Sequence, residues 1–160
     1  MATTAQRTHL ASLMRFLIDN EPLIHYLQRR PMTTTRIFEQ EAYDLFAAGG
    51  TVASDCSETV TWLCKMAGLE DPNGLGYNGT GYTGTLLAHL PHYTDPAEAN
   101  VGALVVFGPL AGDHVAMVLT PGPDPWLFSH GSESGPKRQR LSTVTRAHNP
   151  PVTFLSIAGL

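Results

Sequence analysis

The sequence predicts an α+β domain in which helices come first and an antiparallel sheet follows. Three observations predict it. Apolar residues recur with the helical period through the first two-fifths of the chain. From Val101 the period changes to two. The 160 residues show no internal repeat and no low-complexity linker, so one domain with one core is expected, a helical extension over residues 1–50, capping a groove or completing the fold, ahead of a catalytic core over 51–160.

The first helix is expected from a Thr3 or Thr4 cap to about Asn20, with Leu10, Leu13, Met14, Leu17 and Ile18 on its apolar face and Pro22 closing it. Leu23 to Tyr26 reads as extended, and Arg30-Pro31 excludes helix at that point. A second helix is expected over Arg36 to Ala48, ended by Gly49-Gly50. The third carries a cysteine in its first turn. Ser54 or Asp55 caps it, Val60, Leu63, Cys64 and Ala67 form one apolar stripe, and Gly68 stops it.

Asp71 to Gly84 is a loop dense in Gly, Asn and Tyr. Its formal G-x-G-x-x-G at Gly74, Gly76 and Gly79 follows a helix rather than a strand, so the dinucleotide reading is rejected. Tyr77 and Tyr82 are read instead as lining a groove, or the segment is simply a loop. A short helix is expected over Thr83 to Leu90. Strands are expected over Val101 to Phe107, His114 to Leu119, Trp126 to His130 and Val152 to Ile157, with Pro121-Gly122-Pro123-Asp124 as turn chemistry. The basic run Lys137 to Arg140 reads as a solvated loop.

Composition narrows the function classes. An apolar fraction of 42% and a charged fraction of 15% describe an ordered globule. A net charge of −4 gives no reason to bind nucleic acid or an anionic membrane. No segment has the length and apolarity to insert in a membrane, and the N-terminus has no signal-peptide h-region, so synthesis in a cytoplasm is expected. Cys56 and Cys64 lie about 12 Å apart on one helix, beyond the roughly 7 Å that a disulfide spans. His89-Leu90-Pro91-His92 has a formal ligand spacing, but Pro91 breaks any helix there, and neither a metal nor another cofactor is expected.

Cys56 is the chemical focus. At a helix mouth, unpaired N–H groups and the positive end of the dipole favour a thiolate. A hairpin centred on Gly122 would pair Val118 with Trp126, Ala116 with Phe128 and His114 with His130. Two adjacent imidazoles facing a thiol would supply a base and a group to orient it. Each residue alone also has a structural role as core or hydrogen-bonded surface.

Asp55-Cys56-Ser57, the strand opening Gly112-Asp113-His114-Val115-Ala116-Met117-Val118, and Ser129-His130-Gly131 together resemble the NlpC-type cysteine peptidases of cell-wall metabolism. The segments Asp71-Pro72-Asn73-Gly74 and Gly81-Tyr82-Thr83-Gly84-Thr85 resemble peptidase modules of actinobacteriophage endolysins, and the similarity covers roughly residues 50 to 160. The resemblance implies a papain-like fold and a catalytic triad of Cys56, His114 and His130. Asp55, Ser57, Glu58, Tyr77 and Tyr82 are the expected substrate-binding residues. It implies a peptidoglycan stem peptide as partner, with the D-glutamyl to diaminopimelate bond as the target, and a separate protein for wall targeting or release. Glu58 stands where that family usually has Gly, Tyr43 is a loose counterpart of a family tyrosine, and Glu133 is a second candidate for orienting a histidine. An amidase or acyltransferase on the same fold, or a non-catalytic wall-binding or virion component, are the alternatives.

Overall fold

The computed structural model describes residues 3–131, 135–157 and 160. Helix α1 (Thr4–Asp19) begins with a capping box: the Thr3 hydroxyl accepts from the Gln6 N–H at 3.3 Å, and the Gln6 side chain accepts from the Thr3 N–H at 3.0 Å. It buries Leu10, Ala11, Leu13, Met14 and Leu17. Strand β1 (Ile24–Tyr26) pairs in parallel with β2 (Val52–Ser54), a contact that brings Tyr26 level with Ser54. Helix α2 (Glu39–Ala47) is shorter than expected, because Thr34–Arg36 forms a separate 3₁₀ turn before it.

Helix α3 (Cys56–Met66) overturns the expectation of a single apolar stripe. Every residue of it except Lys65 is buried. Its polar residues tolerate this because each is paired nearby: Thr59 Oγ1 donates to the Asp55 carbonyl, Thr61 Oγ1 to the Ser57 carbonyl, and Trp62 Nε1 to the Ile37 carbonyl, all at 2.7–2.8 Å. The helix stops at Gly68 in the left-handed region (φ +69°), where the Leu69 N–H bonds back to the Cys64 carbonyl at 3.0 Å. The following loop is gathered by Asp71, whose carboxylate accepts from the N–H groups of Asn73, Leu75 and Tyr77.

After α4 (Thr83–His89) come β3 (His92–Tyr93), β4 (Leu104–Phe107), β5 (His114–Thr120), β6 (Trp126–Ser129), β7 (Lys137–Arg140), α5 (Leu141–Ala147) and β8 (Val152–Leu155). The six strands from β3 to β8 form one antiparallel sheet in the order β3-β8-β4-β5-β6-β7. The fold is therefore α+β, as expected. The basic run is not a loop: it is the edge strand β7, and the Arg138 and Arg140 guanidinium groups lie 3.9 and 4.0 Å from the Trp126 ring centre.

The sheet has two covered faces. On the front, Leu104, Val106, Val115, Met117, Phe128 and Leu155 pack with the apolar residues of α1, α2 and α3. On the back, Val105, Phe107, Ala116, Val118, Leu127 and Phe154 pack with Val144 of α5. The first 50 residues thus share the front core with α3. Among the described residues no helix is long and apolar enough to cross a membrane.

Candidate active site

Cys56 is the first residue of α3, and the helix is capped by Asp55, not Ser54. Asp55 Oδ1 accepts from the Glu58 N–H at 2.7 Å and from the Ser57 hydroxyl at 2.9 Å. Its Oδ2 accepts from Arg30 Nη1 at 2.8 Å. Arg30 also donates to Ser57 Oγ (2.8 Å) and the Gly81 carbonyl (2.6 Å), tying three chain segments around the helix mouth. Beside this clasp opens a cleft of about 410 Å³ whose lining includes Cys56, Arg29, Arg30, Tyr82, Thr83 and Asp113.

The thiol is only 5% exposed. Burial pushes its pKa up to about 11, with the Asp55 charge adding to the rise; N–H groups of Val115 and Ser57 and the Tyr26 hydroxyl hydrogen-bond to it and pull the other way. The thiolate expected from the helix mouth is therefore not the resting state at neutral pH. Desolvation outweighs the oriented dipoles. The Tyr26 hydroxyl is itself held up at about 12, by burial first and by Cys56 next.

The two histidines do not share a face. The hairpin register pairs Ala116 with Ser129, Met117 with Phe128 and Val118 with Leu127, one residue away from the expected pairing, with an irregularity between Val118 and Thr120. A one-residue slip moves a side chain to the opposite face. His130 stays on the front. Its Nε2 lies 2.9 Å from the Ser54 carbonyl, and its ring meets Tyr26 edge-on at 5.4 Å. Because a carbonyl only accepts, Nε2 carries a proton.

His114 lies on the back. Its Nε2 is 2.9 Å from Ser129 Oγ, and its ring stacks on His148 (4.6 Å, 7° between planes) and on Phe107 (5.9 Å), which also touch each other at 5.6 Å. Burial, then His148 and His130, push its pKa down to about 3, so it is neutral at pH 7. It lines a separate back pocket with Ser129, Lys137 and His148.

Two of the expected substrate-binding residues are not at the cleft. Glu58 is fully buried; its Oε1 accepts from the Thr33 and Thr34 N–H groups and the Thr34 hydroxyl at 2.8–2.9 Å, so the carboxylate anchors that segment to α3. Tyr77 holds its loop by donating to the Leu69 carbonyl at 2.9 Å, with the Lys65 ammonium 4.6 Å from its ring centre. Asp55, Ser57 and Tyr82 do line the cleft, Tyr82 being 47% exposed. Tyr43 donates to Glu39 and packs on Phe16, away from the thiol; Tyr26 is the tyrosine that touches it. Glu133 lies outside the described residues.

Sequence reasoning missed Tyr26, Arg29, Arg30 and Asp113. Only the parallel pairing of β1 with β2 brings the first three to the cysteine, and no local pattern announces that pairing. Asp113 was legible, since alternation along β5 places it on the same side as Val115. Among the described residues no three His, Cys, Asp or Glu side chains gather as metal ligands. Against known proteins, no family model matches the chain and no curated protein matches it significantly.

Proposed function

We propose that this chain is a cysteine peptidase of papain-like, NlpC-type architecture that hydrolyses a peptide bond in peptidoglycan stem peptides. The observation that carries the reading is the position of Cys56. It opens a buried helix and lines a cleft together with Arg30, Asp55 and Tyr82. The motifs Asp55-Cys56-Ser57, Asp113-His114-Val115 and Ser129-His130-Gly131 support the substrate class.

With its pKa raised, the thiol needs a base at the moment of attack. In this reading His130, the imidazole on the thiol's side of the sheet, takes the Sγ proton. The sulfur attacks the carbonyl carbon, and the Cys56 N–H, unpaired within the helix, donates to the developing oxyanion. The imidazolium then protonates the leaving amine, giving an acyl-enzyme that water hydrolyses. Tyr26 positions thiol and imidazole by touching both. The enzyme acts at the bacterial cell wall, with a separate protein for targeting or release.

Digestion of purified diaminopimelate-type peptidoglycan by the wild type and by Cys56→Ala, followed by mass spectrometry, tests this. Fragments from the wild type alone support it, and their masses separate a peptide cut from an amidase cut. Equal fragments from both remove Cys56 from the chemistry. The buried thiol and the back-facing His114 favour a second reading, a non-catalytic wall-binding component; sedimentation of both proteins with the wall, without cleavage, would select it.

A further inference from the structure

Arg29 and Arg30 are neighbours in sequence with opposite electrostatic fates. Arg30 is neutralised by Asp55 at 2.8 Å. Arg29 has no carboxylate partner among the described residues. Its Nη2 donates to Thr33 Oγ1 and, at 2.9 Å, to the Ala53 carbonyl, which fixes the guanidinium in place. Its Nε is buried with no hydrogen-bond partner. Glu58, the acid on the adjoining segment, gives Oε1 to the backbone of Thr33 and Thr34 and forms no ion pair with Arg29. The buried Nε faces no ligand, but the Nη1 of this held cation makes no hydrogen bond among the described residues and can donate to an anion.

Arg29 also lies where two cavities meet. One is the Cys56 cleft; the other, about 490 Å³, is lined by Arg29, Thr33, Ile37, Leu45, Thr51 and Val52 among others. The second cavity joins aliphatic walls to hydroxyls, the His25 imidazole and one guanidinium. That combination suits an aliphatic arm ending in a carboxylate. Neither a bare phosphate, which has no arm, nor a neutral peptide, which has no charge, would use both halves.

We propose that Arg29 and the pocket behind it form a specificity subsite for a side-chain or terminal carboxylate of the substrate peptide, engaged while the scissile bond lies over Cys56. The subsite rests on the peptidase reading for its occupant, a stem peptide whose glutamyl and diaminopimelyl residues carry carboxylates on methylene arms. Arg29 selects among substrates; it takes no part in bond cleavage.

The test is calorimetric binding to the Cys56→Ala protein of a diaminopimelate-type stem tetrapeptide and of the same peptide with its carboxylates amidated. Amidation is expected to weaken binding about tenfold or more, the scale of a lost charge-assisted contact. In the Cys56→Ala background, Arg29→Gln should make the two peptides bind alike. Thr51→Trp, which fills the second pocket from an exposed position and leaves Arg29 intact, should also abolish the preference. Thermal melts of each variant separate these effects from misfolding. The subsite is overturned if the amidated peptide binds as tightly as the acid, if the preference survives Arg29→Gln, or if neither peptide binds. Wall digestion by the wild type is scored separately. Cleavage without a carboxylate preference removes the subsite and leaves the peptidase; a carboxylate preference without cleavage does the reverse.

Discussion

The front and back of the sheet are both buried under apolar layers, the front by far the larger, but they hold opposite titration chemistry. On the front, burial drives acids toward their protonated forms: Cys56 is pushed up to about 11 and Tyr26 to about 12, and Cys64, fully buried in α3, is pushed up as well. On the back, burial drives a base toward its unprotonated form, His114 at about 3. Desolvation disfavours whichever form is charged, so one physical cause gives both signs. A thiol and an imidazole, each neutral on its own face, do not form an ion pair through the sheet. Chemistry at Cys56 therefore depends on groups of the front face.

The comparison is broken most decisively by substituting the histidines. If the front face is the working one, His130→Ala should lower kcat on peptidoglycan by about a hundredfold or more, the usual scale of a lost general base. His114→Asn should lower it less than about tenfold. The opposite order would place the reaction's base on the back and require His114 to turn. Glu58→Ala comes next. Loss of the acceptor for three donors, two of them buried, should cost about 2–4 kcal/mol in denaturant unfolding, with the 33–34 segment exchanging its amide hydrogens faster.

The faces should also fail at opposite ends of the pH scale. Folded His114 stays unprotonated below its ordinary 6.5, whereas the unfolded chain takes up the proton. Its contribution is thus present above pH 6.5 and is lost as pH falls toward 3. Folded Cys56 keeps its proton above 9, whereas the unfolded chain releases it, so that contribution is present below pH 9 and lost toward 11. Urea midpoints across pH should show both slopes; His114→Asn should flatten the acid one and Cys56→Ala the alkaline one. Alkylation of Cys56 by iodoacetamide should still be accelerating at pH 10. The smallest effect belongs to Ser129→Ala, about 1 kcal/mol for the bond to His114, with no change in cleavage.

Much of the architecture was legible from local signals. Thr3 with Gln6, Asp55 with Glu58 and the stop at Gly68 each work within one turn of helix, where neighbours in sequence are neighbours in space. The change to period two announced β4, β5, β6 and β8. The charged edge strand β7 escaped because its side chains cover Trp126 instead of filling the core. Glu58 and Tyr77 were assigned to a groove because sequence gives a residue's position along the chain but not the direction in which its partners lie.

By itself the sequence determined the α+β class, the cysteine at a helix mouth and the glycine that ends that helix, leaving its cap open between Ser54 and Asp55. The tertiary structure alone decided which imidazole shares the thiol's face, that Tyr26, Arg29 and Arg30 come to it from thirty residues away, and that the thiol rests protonated. The physical reason is that strand faces alternate every residue. A strand irregularity between Val118 and Thr120 that shifts the register by one leaves the hydrophobic pattern intact and carries a side chain from one side of the sheet to the other.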